Sequence, residues 1–344
     1  MTSLLGSRLP IVAAPMAGGP STVELARAVI RAGGFAFLAG GNKTSGGLAD
    51  EIVRLRASLT GMEAQSFGVN LFVPPVVDMG REEFQAYAER LRPEFERFGL
   101  EAPTEPVGGD DEWRGKIELL VREPVPLVSL TFGLPPRADV EALQRAGSTV
   151  LATVTTSEEA LSAAELGVDG LIVQGWRAGG HSAVHDPAAW PAELETVELL
   201  REVRASVELP LIAAGGVDGP AAVRELLASG AEAVAVGTLL LRSDEAGTSE
   251  LQRARMVDPA CPGTVLSRAF TGRPARGLRN GFVDRYAAGA PSGYPEVHYL
   301  TRPLRQAALR AGDGDGVHLW AGTGFRHAPS GPAAEIVAWL SEPV

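Results

Sequence analysis

Short apolar runs that end in Gly, Pro or Asn alternate along the chain with longer amphipathic stretches. Uninterrupted apolar runs are typical of strands buried on both faces of a parallel sheet, and amphipathic stretches are typical of helices. The pattern predicts strands at residues 9–14, 35–38, 66–70, 125–130, 149–153, 170–173, 209–213 and 233–236. It predicts helices between them at residues 22–32, 46–59, 139–146, 157–166, 193–205 and 220–229.

The number of strand–helix units decides the fold class. Eight is the count at which a parallel sheet closes on itself, so the sequence predicts an α/β protein with a (β/α)8 TIM barrel. An open, doubly wound sheet is the alternative, because one missed or one invented strand would change the count.

Two stretches interrupt the repeat and divide the chain. Residues 74–124 are long for one connection, and they hold a helical pattern at 81–98, a polar loop at 101–112 and a second helical pattern at 113–121. The tail, 258–344, ends in a predicted helix at 332–340. Because excursions at the C-terminal end of a barrel usually cover the active site, we expect both stretches to form a cap and substrate region. The barrel domain would then comprise 1–73 and 125–257.

Composition and charge limit the classes of binding partner and the location that we expect. The 344 residues are 45% hydrophobic and 21% charged, as in ordinary globular proteins. A formal net charge of −11 disfavours nucleic acid and anionic membranes. Cys261 is the single cysteine, the N-terminus lacks a signal-peptide pattern, and no apolar run reaches the ~20 residues that span a bilayer. We expect a cytoplasmic protein; the sequence leaves a homo-oligomer open.

Glycine-rich turns follow the seventh and eighth predicted strands. The first contains Ala214, Gly215 and Gly216, and the second contains Gly237 and Thr238. Barrels often bind phosphate with these two loops, because glycines let backbone N–H groups approach an anion. Tight turns alone would also explain the glycines, but two matched turns on neighbouring strands favour a phosphate site.

A histidine follows the sixth predicted strand. Gln174 ends that strand, and Gly179 and Gly180 precede His181. Histidine is the side chain best suited to exchange a proton near neutral pH. We therefore expect His181 to be catalytic, although a structural histidine bonded to a backbone carbonyl is the alternative.

The remaining histidines carry weaker signals. His185 is a candidate to support the site, and His298 is a candidate to reach it from the tail, whereas His318 and His327 have no supporting context. The histidines form neither HxxxH nor HExxH spacing, so no metal site is predicted. The sequence also lacks a dinucleotide fingerprint, a GxxxxGK[ST] phosphate loop and a GxSxG nucleophile elbow.

The start of the chain is suited to a flat ligand. Ala14 ends the first predicted strand, and Pro15 and Met16 follow it. Met16 offers a polarizable surface to an aromatic ring. Asn70, at the end of the third strand, is an amide partner for the edge of a heteroaromatic ring. A simple strand-to-helix loop would explain the first segment equally well.

Together these motifs resemble the nitronate monooxygenases, formerly called 2-nitropropane dioxygenases. The similar segments are Pro15-Met16-Ala17-Gly18-Gly19, Phe67-Gly68-Val69-Asn70, Gly179-Gly180-His181, Ala213-Ala214-Gly215-Gly216-Val217 and Val236-Gly237-Thr238. The FMN-dependent enoyl-acyl-carrier-protein reductases share a similar Gly-Gly-His segment. The tail, with Tyr294 to Thr301 and Leu319 to Gly322, is more similar to the monooxygenases.

The resemblance implies a barrel that binds FMN noncovalently, without metal, and uses O2 to convert alkyl nitronates to carbonyl compounds and nitrite. His181 would be the base that removes the α-proton of a neutral nitroalkane. Ala14, Pro15 and Met16 would line the isoalloxazine, and Asn70 and Gln174 would bond its polar edge. The phosphate site would comprise Gly179, Gly180, Ala214, Gly215, Gly216, Gly237 and Thr238.

One departure leaves the substrate open. Better-known family members usually place a basic residue after the histidine, where this chain has Ser182. Two alternative functions follow from the same residues: an NAD(P)H-driven flavin reductase, such as an enoyl-acyl-carrier-protein reductase, and a flavin-binding protein without turnover. His181 argues against the last, because a binder needs no proton-transfer group.

Overall fold

Eight parallel strands form a closed barrel. The computed structural model describes residues 4–75 and 78–342. The barrel strands, in spatial order, are β1 (Ile11–Ala13), β2 (Phe35–Ala39), β3 (Phe67–Phe72), β4 (Leu127–Thr131), β5 (Thr149–Val154), β6 (Gly170–Gln174), β8 (Leu211–Ala214) and β9 (Ala233–Val236). The barrel closes because β9 pairs with β1, with Ala235 opposite Val12. The predicted TIM barrel is confirmed, and the open sheet is excluded.

Helices connect the barrel strands on the outside. They are α1 (Val23–Arg31), α2 (Ser45–Ala57), α6 (Arg137–Ala146), α7 (Ser157–Leu166), α8 (Thr196–Ser206) and α9 (Pro220–Ala228), each within three residues of its predicted bounds. Thr22 and Thr156 begin α1 and α7, because their side chains accept the backbone N–H groups of Leu25 and Glu159.

Strand residues alternate between two hydrophobic cores. Val12, Phe35 and Phe37 belong to a cluster inside the barrel, whereas Ile11 and Ala36 belong to the larger cluster between strands and helices. Side chains on a strand point alternately to its two faces. Both faces are buried here, which explains why the strands read as continuous apolar runs.

The inserted segment contains three helices. The predicted helix at 81–98 is two helices, α3 (Arg81–Arg90) and α4 (Arg92–Arg97), with Pro93 in the first turn of α4. Proline has no N–H to donate to the preceding turn, so it starts a helix more readily than it continues one. The helix α5 (Trp113–Arg122) lies where the pattern predicts it.

The C-terminal part is richer in structure than predicted. Its elements are α10 (Glu250–Val257), β10 (Thr264–Ser267), β11 (Ala275–Leu278), α11 (Gly281–Tyr286), α12 (Glu296–Arg310) and α13 (Ala333–Leu340), of which only α13 was predicted. A short strand after β6, β7 (Gly180–His181), joins β11 and β10 in an antiparallel sheet. No helix in the described ranges is long and apolar enough to cross a membrane.

The inserted segment and the tail pack against each other. They share a second hydrophobic core, to which the inserted segment contributes Phe84, Leu91 and Phe95 and the tail contributes Phe270 and Phe282. The Tyr87 hydroxyl also donates to the Ala269 carbonyl at 2.7 Å.

Candidate active site

A cavity of about 870 Å³ lies at the C-terminal ends of the barrel strands and beneath the tail. Every residue predicted for the site lines this cavity. These are Ala14, Pro15, Met16, Asn70, Gln174, Gly179, Gly180, His181, Ala214, Gly215, Gly216, Gly237 and Thr238. The structure therefore brings the predicted residues together, and their individual roles stay predictions.

Glycines form a narrow cup at one end of the cavity. A Cβ atom at Gly179 would lie 2.4 Å from the backbone nitrogen of Gly322, so only glycine allows this approach. Gly215 and Gly216 adopt φ angles of 99° and 77°, which also favour glycine. The Thr238 hydroxyl accepts the Gly322 N–H at 2.8 Å. Such a backbone-lined cup suits a phosphate group.

Gly322 and Gly324 come from the tail and were not predicted to belong to this cup. Their signal in the sequence is the run Ala321-Gly322-Thr323-Gly324, which has the same small, glycine-rich character as the two turns after the barrel strands.

Small and apolar groups form the wall near β1. A Cβ atom at Gly237 would stand 3.5 Å from Met16 Sδ and 3.6 Å from Ala14 Cβ, so these three residues face one another. The Met16 N–H donates to Ser21 Oγ at 2.8 Å, which fixes the backbone after the strand. This wall fits the face of a flat aromatic ligand.

The two predicted amides have different surroundings. Asn70 is buried, and its Nδ2 donates to Ser129 Oγ and Thr131 Oγ1 at 2.9 and 2.8 Å. These two bonds hold the amide nitrogen against β4. Gln174 binds the segment that carries the histidine: its Oε1 accepts the Ala183 N–H at 2.8 Å, and its Nε2 donates to the His181 carbonyl at 3.3 Å.

His181 lies in an aromatic enclosure. The centres of the Phe132, Tyr294 and Trp320 rings are 5.5, 5.6 and 5.5 Å from the imidazole. Its Nε2 lies 2.9 Å from the hydroxyl of Thr271. Phe132 adopts a φ of 81°, which is rare for a bulky residue and turns its backbone after β4.

The environment keeps His181 uncharged. Burial in the cavity, and then the positive charges of Arg273 and Arg305, lower its pKa from 6.5 to about 3. A neutral imidazole has a free lone pair and can accept a proton. The guanidinium carbon of Arg273 lies over the Phe132 ring, 4.2 Å from the ring centre.

Comparisons with known proteins show the family of this chain. The model of the nitronate monooxygenase family matches residues 2–342. The chain belongs to the nitronate monooxygenase family. A nitronate monooxygenase of Pseudomonas aeruginosa is 37% identical over 99% of this chain and 97% of its own length. A probable nitronate monooxygenase of Staphylococcus aureus is 31% identical over 98% of this chain and 95% of its own.

Two solved structures share the fold of this chain. A nitroalkane oxidase from Streptomyces ansochromogenes superposes with a TM-score of 0.92 and 42% identity, covering 97% of this chain and 95% of that one. FabK from Thermotoga maritima superposes with a TM-score of 0.74 at 24% identity, covering 98% and 93%. The latter likeness concerns the fold alone. This nitronate monooxygenase family member is thus an oxidoreductase of a flavoprotein family that acts on a small molecule.

The tail gives this member of the family a basic side of the cavity. His298, Arg305 and His318 all line it, and the Arg305 guanidinium lies 3.3 Å from Nδ1 of each histidine. The expectation that His298 reaches the site is confirmed, and His318, for which the sequence offers no context, lines the cavity as well. The fold brings His318 back to the cavity behind Trp320, which spacing along the chain does not reveal.

His185 is held outside the cavity. Its Nε2 bonds the Thr153 carbonyl at 3.0 Å, and its backbone N–H donates to Glu159. Within residues 4–75 and 78–342, no group of three or more His, Cys, Asp or Glu side chains is arranged to hold a metal ion.

Proposed function

We propose that this protein oxidises alkyl nitronates with O2 and bound FMN, giving a carbonyl compound and nitrite. With a neutral nitroalkane, His181 would be the catalytic base that removes the α-proton. The observation that carries the proposal is the position of a neutral imidazole in the same cavity as the glycine cup. That arrangement joins a proton acceptor to a site for a phosphorylated, flat cofactor.

The cavity fits FMN at both ends. The cup of Gly179, Gly215 and Gly216 leaves no room for side chains where a phosphate would sit. The apolar wall of Ala14 and Met16 suits the isoalloxazine, and Pro15 gives that wall a rigid turn. FMN bound here supplies the electron acceptor for the reaction.

The protein's own groups handle the proton and the water. His181 would accept the proton in its neutral form, and the rings of Phe132, Tyr294 and Trp320 surround the imidazole. Asn70 Nδ2 is committed to the barrel, so its carbonyl oxygen is the group left to contact the cofactor's polar edge. The inserted segment and the tail form the cap over this chemistry.

The first test is anaerobic mixing of the FMN-loaded protein with an alkyl nitronate. We expect the visible absorbance of oxidised flavin to fall, and to return on admission of air with release of nitrite. His181→Asn should lower the turnover of a neutral nitroalkane by roughly 100-fold or more, while FMN stays bound. His327→Asn is the matched control, because His327 is exposed and outside the cavity.

An unchanged spectrum with several nitronates, together with rapid bleaching by NADPH, would instead support the flavin-reductase alternative. Unchanged nitroalkane turnover in His181→Asn would remove the proposed base. We also propose a cytoplasmic location, because the single cysteine allows no disulfide bond within the chain.

A further inference from the structure

A buried hydroxyl contacts the ring of His181 from the tail. Thr271 is 1% exposed and lines the cavity just before β11. Its Oγ1 lies 2.9 Å from His181 Nε2 and 3.3 Å from the carbonyl oxygen of Arg273. The sequence gives no sign of this contact, because 90 residues separate the two side chains.

The hydrogen atoms can be assigned by counting donors and acceptors. A threonine hydroxyl has one hydrogen to donate and two lone pairs to accept with. The Arg273 carbonyl can only accept, so the Thr271 hydrogen makes that bond. The hydroxyl then accepts from His181, which requires a hydrogen on Nε2. The opposite assignment would make only one of the two hydrogen bonds, and an unmade bond in a buried place is costly.

The backbone of the histidine is fixed independently. His181 pairs with Ala275 in the antiparallel sheet, and the Ser182 N–H donates to the Pro274 carbonyl at 2.8 Å. Gln174 holds the next residue, Ala183. Rotation of the ring is therefore the freedom that remains, and Thr271 is the hydrogen-bonding group that restrains it.

We infer that Thr271 is a positioning residue that keeps the hydrogen of His181 on Nε2, so that Nδ1 is the atom that accepts the substrate's proton. The inference rests on the proposed role of His181 as a base. Within the described part of the chain Nδ1 has no hydrogen-bond partner, and it is not among the buried, unpartnered atoms, so it is open to the cavity. The imidazole thus presents a lone pair, rather than an N–H group, to the substrate.

The tautomer is measured directly on the FMN-loaded protein, with 15N-labelled histidine and NMR. We expect His181 Nε2 to give the chemical shift of a protonated nitrogen and Nδ1 that of an unprotonated one. Thr271→Val, which keeps the shape and removes the hydroxyl, should mix the two tautomers, and Thr271→Ser should restore the first. A wild-type protein with the hydrogen on Nδ1 would overturn the inference, whether or not the variants fold.

Kinetics supply a second readout. Thr271→Val should lower kcat for a neutral nitroalkane by roughly 10- to 100-fold, leave its KM within about twofold, and spare turnover of a nitronate that is already ionised. Thr248→Val is the matched control, since Thr248 is buried, its hydroxyl has no partner in the described ranges, and it lies outside the cavity. Wild-type kinetics in Thr271→Val, with the tautomer unchanged, would contradict the inference.

If wild type and His181→Asn convert nitroalkane equally, the proposed role of His181 as a base fails, while the tautomer measurement still stands.

Discussion

His181 is an uncharged imidazole among fixed positive charges. The buried guanidinium groups of Arg273 and Arg305 both oppose its protonation. In the described part of the chain neither arginine has a carboxylate within salt-bridge distance. Such an environment attracts an anion and makes it costly to add a further positive charge. The site thus favours substrates that become negatively charged when they lose a proton, or substrates that are already anions.

The pH dependence of kcat/KM tests this environment, because kcat/KM reports ionisations of the free enzyme. With a pKa of about 3, His181 is unprotonated throughout the range from pH 5 to 7. We expect kcat/KM for a neutral nitroalkane to stay within about twofold over that range. A histidine with the ordinary pKa of 6.5 would lose roughly 25-fold, and an inflection near that pH would contradict the assignment.

Whether a site residue could be predicted depends on how far along the chain it lies from the end of a barrel strand. His181 and the turns at Gly215 and Gly237 could be predicted, because each directly follows a strand and barrel strands end on one face. His318 and Thr271 could not be predicted, because their approach to the cavity depends on how the tail packs. Phe132 lies between these cases: its place after a strand is visible, but its left-handed backbone is not.

At the scale of elements, the site is a junction between the barrel and the tail. The segment after β6 leaves the barrel, pairs with β11 and crosses the turn at Gly322 at backbone contact distance. One missing side chain, at Gly179, makes that crossing possible. The cup and the position of His181 therefore depend on the same close approach.

Gly179→Ala tests that dependence. Because the added Cβ would lie 2.4 Å from a backbone nitrogen, the two segments must separate. We expect a loss of roughly 1–3 kcal/mol of unfolding free energy and weaker FMN binding, measured by urea denaturation and by the fluorescence of released flavin. Gly46→Ala is the control, since a Cβ there meets nothing within 4 Å. Equal FMN affinity in both variants would argue against the cup.

At the scale of the molecule, the barrel could be predicted and much of the cap could not. The barrel has eight strands with both faces buried, and six of the connections between them are single amphipathic helices. The cap lacks such repetition. β7 has only two residues, and β10 and β11 contain polar residues instead of a continuous apolar run. Pro303 inside α12 is typical of a helix boundary rather than of an interior.

The cavity also makes the whole protein sensitive to acid. The pKa of His181 is lowered to about 3 and that of His298 to about 2, chiefly by burial, and the pKa of His318 is lowered as well. Below pH 6.5 the unfolded chain therefore binds protons that the folded protein excludes, so this stability is complete above pH 6.5 and is lost as the pH falls.

Between pH 7.5 and 5.5 we expect these three groups to remove roughly 3–4 kcal/mol of unfolding free energy, and to lower the Tm by several degrees. Calorimetry over this range measures the effect. His318→Gln should reduce the slope by about one proton, whereas His327→Asn, on the surface, should leave it unchanged. An equal slope in His318→Gln and wild type would show that this buried histidine is not a source of the acid sensitivity.

The pairing of β7 with β11 also sets an order of events during synthesis. The ribosome delivers Val236, the last residue of the closing strand, 39 residues before Ala275. At about 5–20 residues per second, that interval is roughly 2–8 s. A nascent chain can complete its barrel before the tail partners of His181 have emerged from the ribosome. The imidazole of His181 acquires its orientation only when the tail emerges. The proposed proton transfer therefore becomes possible only after the barrel has formed.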